Sequence, residues 1–314
     1  MDAGDNPYFQ EYLALRDNLE APRGIVNGVE TTAHPEVVAL GADLYGGIEV
    51  FCSGTLIHPR WVLTAAHCLD NVEGMFGPIS SLKIIFGGAV SENGGDDQIG
   101  WAEYHMHPSY SGQVFANDIG LVKLAEAKND VAPMVVNDEL PDETWEGTEL
   151  TFVGFGITSD FSNDAGTKRE TEITVTDSDD QFIYSFSPST NVCSGDSGGA
   201  ALEKTKDGFE VAGINAYVEG GCAGGSNGAT NVAAFLDFVT EFVTPNFEPP
   251  APDLGGEGGL GLGVARGLDA RPLGGERAGS GAQLACATGP GDPGRLAWLG
   301  LVFALGLRRR GMSL

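Results

Sequence analysis

Positively charged residues are scarce in this chain. Its 314 residues include 17 lysines and arginines against 44 aspartates and glutamates, a formal net charge of −27. Most of the excess lies in residues 25–243, which carry 33 acidic and 8 basic side chains. A body with this charge repels phosphate backbones, so we exclude a nucleic-acid partner.

Cysteine is also sparse, and its spacing excludes one common use. The chain has five cysteines, and no two form a Cys-x-x-Cys pair, which argues against a zinc ribbon. Four of them, Cys52, Cys68, Cys193 and Cys222, lie in the acidic body and could form two disulfides. Disulfides would place the protein in an oxidising compartment. The fifth, Cys286, falls in a tail of different composition.

Apolar runs long enough to cross a membrane as a helix are missing as well. Residues 1–24 have no basic start and no apolar stretch, so they show no signal peptide, and we interpret them as a propeptide-like segment. Between residues 25 and 243 the apolar runs are short and bounded by turn residues, which predicts strands in an all-β fold. The clearest runs are Val37–Leu40, Trp61–Ala66, Leu82–Phe86, Ile119–Leu124, Leu150–Phe155 and Glu210–Tyr217. Val232–Val243 has helical spacing and predicts one amphipathic helix.

The composition changes after Pro245. Residues 244–294 are rich in glycine and proline, which predicts a flexible linker. In residues 295–314, the apolar run Leu296–Leu307 directly precedes Arg308–Arg310. As a helix this run rises about 18 Å, short of a hydrocarbon core of about 30 Å. We interpret it as a short apolar tail helix for sorting or membrane retention, with the arginines on the cytoplasmic side.

Three short motifs carry residues suited to nucleophilic catalysis. Ser197 is flanked by glycines in GDSGG, a pattern that could alone be a β-turn. LTAAHC supplies His67 in an apolar setting, and NDIGL places Asp118 at the start of an apolar run. A serine hydroxyl is barely ionised at neutral pH and needs a base, which histidine provides. A buried carboxylate then orients the imidazole.

These motifs, with several others in the same order, resemble the trypsin/chymotrypsin-like serine proteases. The matching stretches lie within residues 25–243 and are Ile25–Gly28, Ser53–Cys68, His107–Tyr110, the segment around Asp118, Gly154–Gly156 and Cys193–Gly199. The resemblance implies an all-β domain of two antiparallel β-barrels with the active site between them and a C-terminal helix. In this chain the linker and the apolar tail helix follow that domain.

The resemblance also implies a role for each site residue. His67 would be the general base and acid, Asp118 would orient it, and Ser197 would be the nucleophile that forms an acyl-enzyme. The backbone N–H groups of Gly195 and Ser197 would form the oxyanion hole. This chemistry needs no cofactor and no metal.

The family's disulfides would fall on four of the cysteines. Cys52–Cys68 would hold the loop that carries His67. Cys193–Cys222 would tie the nucleophile loop to the wall of the specificity pocket. Other disulfides common in the family have no cysteines here.

Activation in the family uses a freed isoleucine amine. That amine inserts and pairs with the aspartate just before the nucleophile, and here the two residues would be Ile25 and Asp196. The chain departs from the pattern because Gly24 separates Arg23 from Ile25. Cleavage after Arg23 would leave an N-terminus one residue too long. We therefore expect cleavage after Gly24, or trimming, rather than self-activation at arginine.

The specificity pocket departs from the trypsin type. Asn191 occupies the floor position, where a preference for lysine or arginine needs a carboxylate. Tyr217 and Val218 form one wall, and Val218 and Asn227 stand where many members carry glycine. Two side chains there would shorten the pocket, which predicts cleavage after small or medium uncharged residues. The edge Asn215–Val218 should pair with an extended substrate backbone.

The remaining candidates are interpreted as structural. We interpret the other histidines as surface or structural residues: His34, His58, His105 and His107. A Gly-rich loop with Glu92, Asp96 and Asp97 occurs where some family members bind Ca²⁺, which takes six to eight oxygen ligands. Acidic clusters are expected by chance in a domain with 33 acidic residues, so we predict no metal.

The tail resembles the C-terminal sorting signals called MYXO-CTERM, in which a cysteine among small residues precedes an apolar helix and an arginine cluster. Cys286 and the two segments after it fit this order. The resemblance implies export, surface attachment and contact with a membrane or sorting machinery. The alternative is a low-complexity tail with a free thiol. Export without a visible signal peptide implies an upstream start or another route.

Together these patterns predict an exported serine endopeptidase, made as a zymogen, that acts as a monomer on protein or peptide substrates. Two alternatives stay open from the sequence. One is a catalytically silent homologue that binds partners at the cell surface. The other is an esterase on the same fold.

Overall fold

A computed structural model describes most of the acidic body. The described residues are 25–44, 46–91, 97–112, 115–160, 162–222 and 224–244. The propeptide-like segment, Glu92 and Asp96, Cys286 and the tail helix lie outside them. The chain divides after Asp253 into two units, and every described residue belongs to the first. No helix in this described part has the length and hydropathy needed to cross a membrane.

Strands dominate the described part of the chain. They are β1 (Val29–Glu30), β2 (Val37–Leu44), β3 (Gly47–His58), β4 (Trp61–Thr64), β5 (Leu82–Ile85), β6 (Gln98–Met106), β7 (Gly120–Leu124), β8 (Val135–Val136), β9 (Glu149–Gly154), β10 (Arg169–Ser178), β11 (Phe182–Ser187), β12 (Ala200–Lys204), β13 (Phe209–Glu219) and β14 (Gly225–Asn231). The helices are α1 (Val72–Phe76) and α2 (Leu236–Phe242), with 3₁₀ turns at Ala66–Cys68, Ile79–Ser81 and Val232–Phe235. The predicted strand runs all fall on these strands or within two residues of them.

The first six long strands close into a barrel. The order around it is β2-β3-β4-β7-β6-β5, and all its pairings are antiparallel. Its interior is apolar, with Leu40, Leu56, Val62 and Leu121 fully buried. Closure leaves none of these strands with a free edge. The barrel therefore gives a rigid base to the loops at its rim.

A second antiparallel barrel follows in the chain. Its order is β9-β10-β11-β14-β13-β12, and β12 pairs back onto β9. Strand β1 adds to β10, and β8 pairs in parallel with β13. Phe152, Ile183 and Ala229 are among its fully buried core residues. The two barrels confirm the predicted fold.

The predicted C-terminal helix is present, with a tighter first turn than the sequence indicated. Val232–Phe235 is a 3₁₀ turn, and the α-helix proper begins at Leu236. Asn231 makes no side-chain hydrogen bond that caps the first turn, and 3₁₀ geometry is frequent at such helix ends. Phe235, Phe238 and Val239 pack into the core of the first barrel. The helix therefore fastens the end of the domain to its beginning.

Asp97 in the acidic loop, and His105, interpreted above as a surface or structural residue, both have specific partners. Asp97, from the acidic loop, lies 2.7 Å from Lys128 Nζ, which also contacts Asp130 at 2.8 Å. The His105 ring stacks on Phe242, with ring centroids 4.1 Å apart. These contacts give Asp97 and His105 places in the packing of the first barrel.

Replacing Gly54 in β3 by alanine should lower the free energy of unfolding by about 1–3 kcal/mol. An added Cβ would lie 2.6 Å from Val62 Cγ1 and 3.0 Å from the Leu63 carbonyl oxygen. Gly100→Ala in β6 is the matched control, because nothing lies within 4 Å of its Cβ; its stability should stay within about 0.5 kcal/mol. Urea unfolding of the full chain measures both variants. Equal stabilities would contradict the close packing of β3 on β4.

Candidate active site

The first barrel brings a histidine and a buried carboxylate together. His67 lies in the 3₁₀ turn after β4, and Asp118 lies two residues before β7. Asp118 is fully buried, and its Oδ2 lies 2.7 Å from His67 Nδ1. Its Oδ1 accepts the backbone N–H of His67 at 2.8 Å. One carboxylate thus fixes both the ring and the backbone of the histidine, and leaves Nε2 available as a base.

Asp118 is also held from the second barrel. Thr230 Oγ1, in β14, donates to the Asp118 carbonyl at 3.0 Å. The side-chain oxygen of Gln181 accepts the N–H of Asn117 at 3.0 Å. Sequence reasoning missed Thr230 and Gln181, since only closure of the second barrel brings them to this loop.

The loop that carries Ser197 leaves two backbone donors unused. The N–H groups of Asp196, Gly198 and Gly199 each donate to a carbonyl at 2.8–3.0 Å. Those of Gly195 and Ser197 make no hydrogen bond within the described part of the chain. Gly195 has φ +94°, a conformation that glycine adopts without strain. Between Gly195 and Gly199, the two residues predicted for the oxyanion hole are therefore the two with free N–H groups.

Ser197 lies at the junction of the two barrels. Its carbonyl accepts the N–H of Ser53 at 2.7 Å, and Cys68 Sγ lies 3.6 Å from the same oxygen. Ser197 is thus adjacent to the turn that carries His67. Its hydroxyl makes no hydrogen bond to the His67 ring among the described residues, and such catalytic bonds often tighten only when substrate binds.

Both disulfides implied by the resemblance are present. The Cα atoms of Cys52 and Cys68 are 6.1 Å apart, and those of Cys193 and Cys222 are 5.0 Å apart. In the described ranges, each cluster of potential metal ligands contains one of these disulfides, the first with His67 and the second with an aspartate. A cysteine binds a metal ion as its thiolate, and the sulfurs of a disulfide are not thiolates. These clusters therefore fit disulfides rather than a metal ion.

Two asparagines meet in the predicted specificity pocket: Asn191 at its predicted floor and Asn227 at its predicted second wall. Asn191 and Asn227 are both buried, and Asn227 Nδ2 donates to Asn191 Oδ1 at 2.9 Å. The Val192 N–H donates to the same oxygen at 3.0 Å, which fixes the orientation of both amides. Val218 in β13 lies opposite Asn227 in β14. The floor is therefore neutral and narrowed by side chains.

An aromatic group lies beside the histidine. The Tyr217 ring stacks on Phe115 with centroids 5.9 Å apart, and it meets Phe182 edge to face at 5.2 Å. Phe115 in turn presents an edge to the His67 ring at 5.7 Å. Tyr217 was predicted as pocket wall, but Phe115 and Phe182 were missed. No local signal marks them, because they come from loops and strands far apart in the chain.

The N-terminal end of the described chain is built into the second barrel. Ile25 is fully buried. The Val26 N–H donates to the Asn191 carbonyl at 3.0 Å, and Thr190 Oγ1 donates to the Val26 carbonyl at 2.6 Å. The segment predicted to act in activation thus lies directly against the residue at the pocket floor.

Asp196, the predicted partner of Ile25, is a buried carboxyl. Its oxygens accept the N–H groups of Gly156 at 2.7 Å and Cys193 at 2.8 Å. Burial raises the pKa of Asp196 to about 7, and the two hydrogen bonds and the charge of Arg169 oppose this only in part. No described lysine or arginine forms an ion pair with it. A new ammonium group nearby would stabilise its charged form.

Comparison with known proteins matches these observations. The family model described as Trypsin covers residues 25–239. The brachyurin of Leptuca pugilator is 27% identical over 233 residues, which are 68% of this chain and 96% of that protein. A trypsin of Sarcophaga bullata is 27% identical over 197 residues, 56% of this chain and 72% of that protein. The chain therefore belongs to the trypsin family, and it is a chymotrypsin-like serine endopeptidase.

Proposed function

We propose that His67, Asp118 and Ser197 form the catalytic triad. The two hydrogen bonds that Asp118 accepts from His67 carry this proposal, because they orient the ring and stabilise its protonated form. Ser197 Oγ attacks the peptide carbonyl while His67 Nε2 takes its proton. His67 then gives that proton to the leaving amine, which leaves an acyl-enzyme. Water, deprotonated by His67, attacks the ester and releases the acid and Ser197.

The free N–H groups of Gly195 and Ser197 are the donors for the oxyanion of each tetrahedral intermediate. Donors that are already aimed at the site need no reorganisation when charge develops. Removing one such donor typically costs about 2.7–4 kcal/mol of transition-state stabilisation. The N–H groups of Asp196, Gly198 and Gly199 already donate to carbonyl oxygens, which supports the assignment of the Gly195 and Ser197 N–H groups to the oxyanion.

The substrate residue before the scissile bond is small or medium and uncharged. The floor formed by Asn191 and Asn227 carries no charge to pair with lysine or arginine. Val218 and Asn227 occupy space that a large side chain would need. The Phe115–Tyr217 pair offers an apolar face to the preceding substrate residues, whose backbone would pair with the β13 edge.

The chain is a zymogen that is activated by a cut before Ile25. The buried Asp196 carboxyl has hydrogen-bond donors but no ion-pair partner among the described residues. A freed Ile25 amine would supply that partner. A cut after Arg23 would leave Gly24 attached to Ile25, so trimming or a different protease is required.

The protein is exported and acts as a monomer on protein or peptide substrates. The two disulfides support export, because the cytosol keeps most thiols reduced. The segment that resembles a MYXO-CTERM signal lies outside the described residues. Attachment to a cell surface or a membrane through it therefore stays a prediction.

Asp118→Asn should lower kcat by about 10⁴-fold, because an amide holds His67 in the wrong tautomer. Ser197→Ala should abolish the acyl-enzyme. Hydrolysis of labelled casein by the full chain cut before Ile25 measures both. Asp138→Asn, a carboxylate-to-amide change at an exposed residue, is the control and should keep full activity. If the folded chain hydrolyses esters but not casein, the esterase alternative holds. If it hydrolyses neither, the catalytically silent binding protein holds.

A peptide library should be cut after alanine or valine at least about tenfold faster than after phenylalanine or lysine. Val218→Gly should raise cleavage after phenylalanine, because it reopens the pocket. Val29→Gly removes the same side chain from an exposed position of β1 and should change nothing. Mass spectrometry of the products gives the ratios. Preferred cleavage after lysine or arginine would contradict the role of Asn191.

Gly24→Arg should convert the chain into one that immobilised trypsin activates, because cleavage then leaves Ile25 as the N-terminus. The unaltered chain, cut after Arg23, should stay inactive. Casein hydrolysis after removal of the trypsin beads reads both. Activation of the unaltered chain to the same level would refute the need for an Ile25 start.

The same cut should change the pH dependence of stability. In the uncut chain the pKa of Asp196 is raised from 3.8 to about 7, so this group's contribution is greatest at low pH and falls between those values. A freed amine would compensate the charged carboxylate. The Tm of the cut form should therefore exceed that of the uncut form more at pH 8 than at pH 5. In Asp196→Asn this pH dependence should vanish, and its persistence would assign the effect elsewhere.

A further inference from the structure

Ser53 in β3 joins the first barrel to the nucleophile loop of the second. It is fully buried. Its Oγ lies 2.8 Å from the Gly195 carbonyl oxygen and 2.9 Å from the Phe155 nitrogen. Its own N–H donates to the Ser197 carbonyl at 2.7 Å. One residue thus contacts both residues whose N–H groups are free.

The direction of both hydroxyl bonds is fixed by chemistry. The Phe155 N–H can only donate, so Ser53 Oγ accepts from it. The Gly195 carbonyl can only accept, so the single hydroxyl proton of Ser53 must point at it. The hydroxyl therefore uses its one proton and one of its acceptor sites. Rotating it about the C–O bond would break at least one of these two hydrogen bonds.

Such a contact matters for Gly195 because its backbone is intrinsically flexible. Its φ of +94° lies in a region that glycine adopts readily, and glycine can adopt more backbone conformations than any other residue. The Ser53 bond holds the carbonyl of Gly195, and the Ser53 N–H holds the carbonyl of Ser197. Each residue is thereby fixed at its carbonyl, while its N–H stays free for a ligand.

The anchor itself is tied to the strand that leads to the histidine. Thr64 Oγ1, at the end of β4, donates to the Ser53 carbonyl at 2.8 Å. Thr64 is fully buried, and His67 follows three residues later. A continuous set of hydrogen bonds therefore runs from the strand before His67 through Ser53 to Gly195.

We propose that the Ser53 hydroxyl is a positioning group that keeps the Gly195 N–H aimed at the oxyanion. Ser53 does not touch the substrate; it acts through Gly195, and it works by preorganisation of that donor. The inference rests on the proposed oxyanion role of Gly195 and Ser197. Without the hydroxyl, the Gly195 carbonyl and the Phe155 N–H both lose their partner. The peptide group after Gly195 is then held only by the bond from the Asp196 N–H to the Cys193 carbonyl.

The test compares two full-length proteins that both carry Gly24→Arg and are cut before Ile25. One of them also carries Ser53→Ala, and the other keeps Ser53. We expect kcat to fall about tenfold, less than the 10²–10³-fold that follows loss of a direct donor. KM should stay within about twofold, because ground-state binding is untouched. Affinity for a peptide boronic acid, which forms a tetrahedral adduct, should fall with kcat, whereas inhibition by a product peptide should not. Ser53→Thr, which keeps the hydroxyl, should recover most of kcat.

A stability control separates positioning from simple weakening of the fold. Ile84→Val shortens a fully buried side chain of β5 in the same barrel and should lower Tm while leaving kcat unchanged. An equal loss of kcat in Ile84→Val, or an unchanged kcat in Ser53→Ala, would overturn the proposal. A Ser53→Ala loss confined to KM would overturn it too.

Amide hydrogen exchange keeps the inference testable apart from catalysis. In Ser53→Ala the Phe155 amide should exchange faster, and the hydrogen-bonded amides of Cys193 and Asp196, on either side of Gly195, should lose protection. If the unaltered chain shows no Ser197-dependent hydrolysis, the proposed function fails, and this exchange alone decides whether Ser53 fixes the loop. Unchanged exchange at both places would show that Ser53 holds neither.

Discussion

The burial of the Asp196 carboxyl is the constraint on which the site depends. A buried carboxylate needs donors or a cation, and the chain supplies the N–H groups of Gly156 and Cys193. These bonds draw the segment after β9 and the nucleophile loop around one carboxyl. A Cβ at Gly154 or Gly156 would collide with Asp196, so both positions need glycine. The turn that presents Ser197 is therefore shaped from beneath, by a buried carboxyl that forms no ion pair with a described lysine or arginine.

The two barrels hold each other's proposed catalytic residues. The first barrel carries the His67–Asp118 pair, yet Thr230 of the second holds the Asp118 carbonyl. The second barrel carries Ser197, yet Ser53 of the first holds its carbonyl. Each contact ends on a strand of a closed sheet rather than on a free loop. The relative position of the proposed base and nucleophile therefore follows from the packing of two rigid bodies.

The sequence predicted features that depend on residues close together in the chain. Short apolar runs predicted six strands, four in the first barrel and two in the second. The residues around His67, Asp118 and Ser197 marked the candidate site, since each motif is complete within a few residues. The contacts that organise these motifs could not be predicted. The Ser53–Gly195 and Thr230–Asp118 bonds join residues 142 and 112 positions apart, and they depend on strand register. The 3₁₀ start of the last helix has the same origin, because packing rather than periodicity sets its first turn.

The neutral pocket floor and the acidic exterior act over different distances. An excess of negative charge on the body attracts basic polypeptides at a distance, and salt at physiological ionic strength largely screens that attraction beyond a Debye length of about 8–10 Å. In the proposed pocket, Asn191 and Asn227 would meet only a side chain that has already entered, at contact distance and away from mobile ions. Ionic strength should therefore govern how often a basic substrate encounters this enzyme. Which of its peptide bonds is cut should be the same in dilute buffer and in brine.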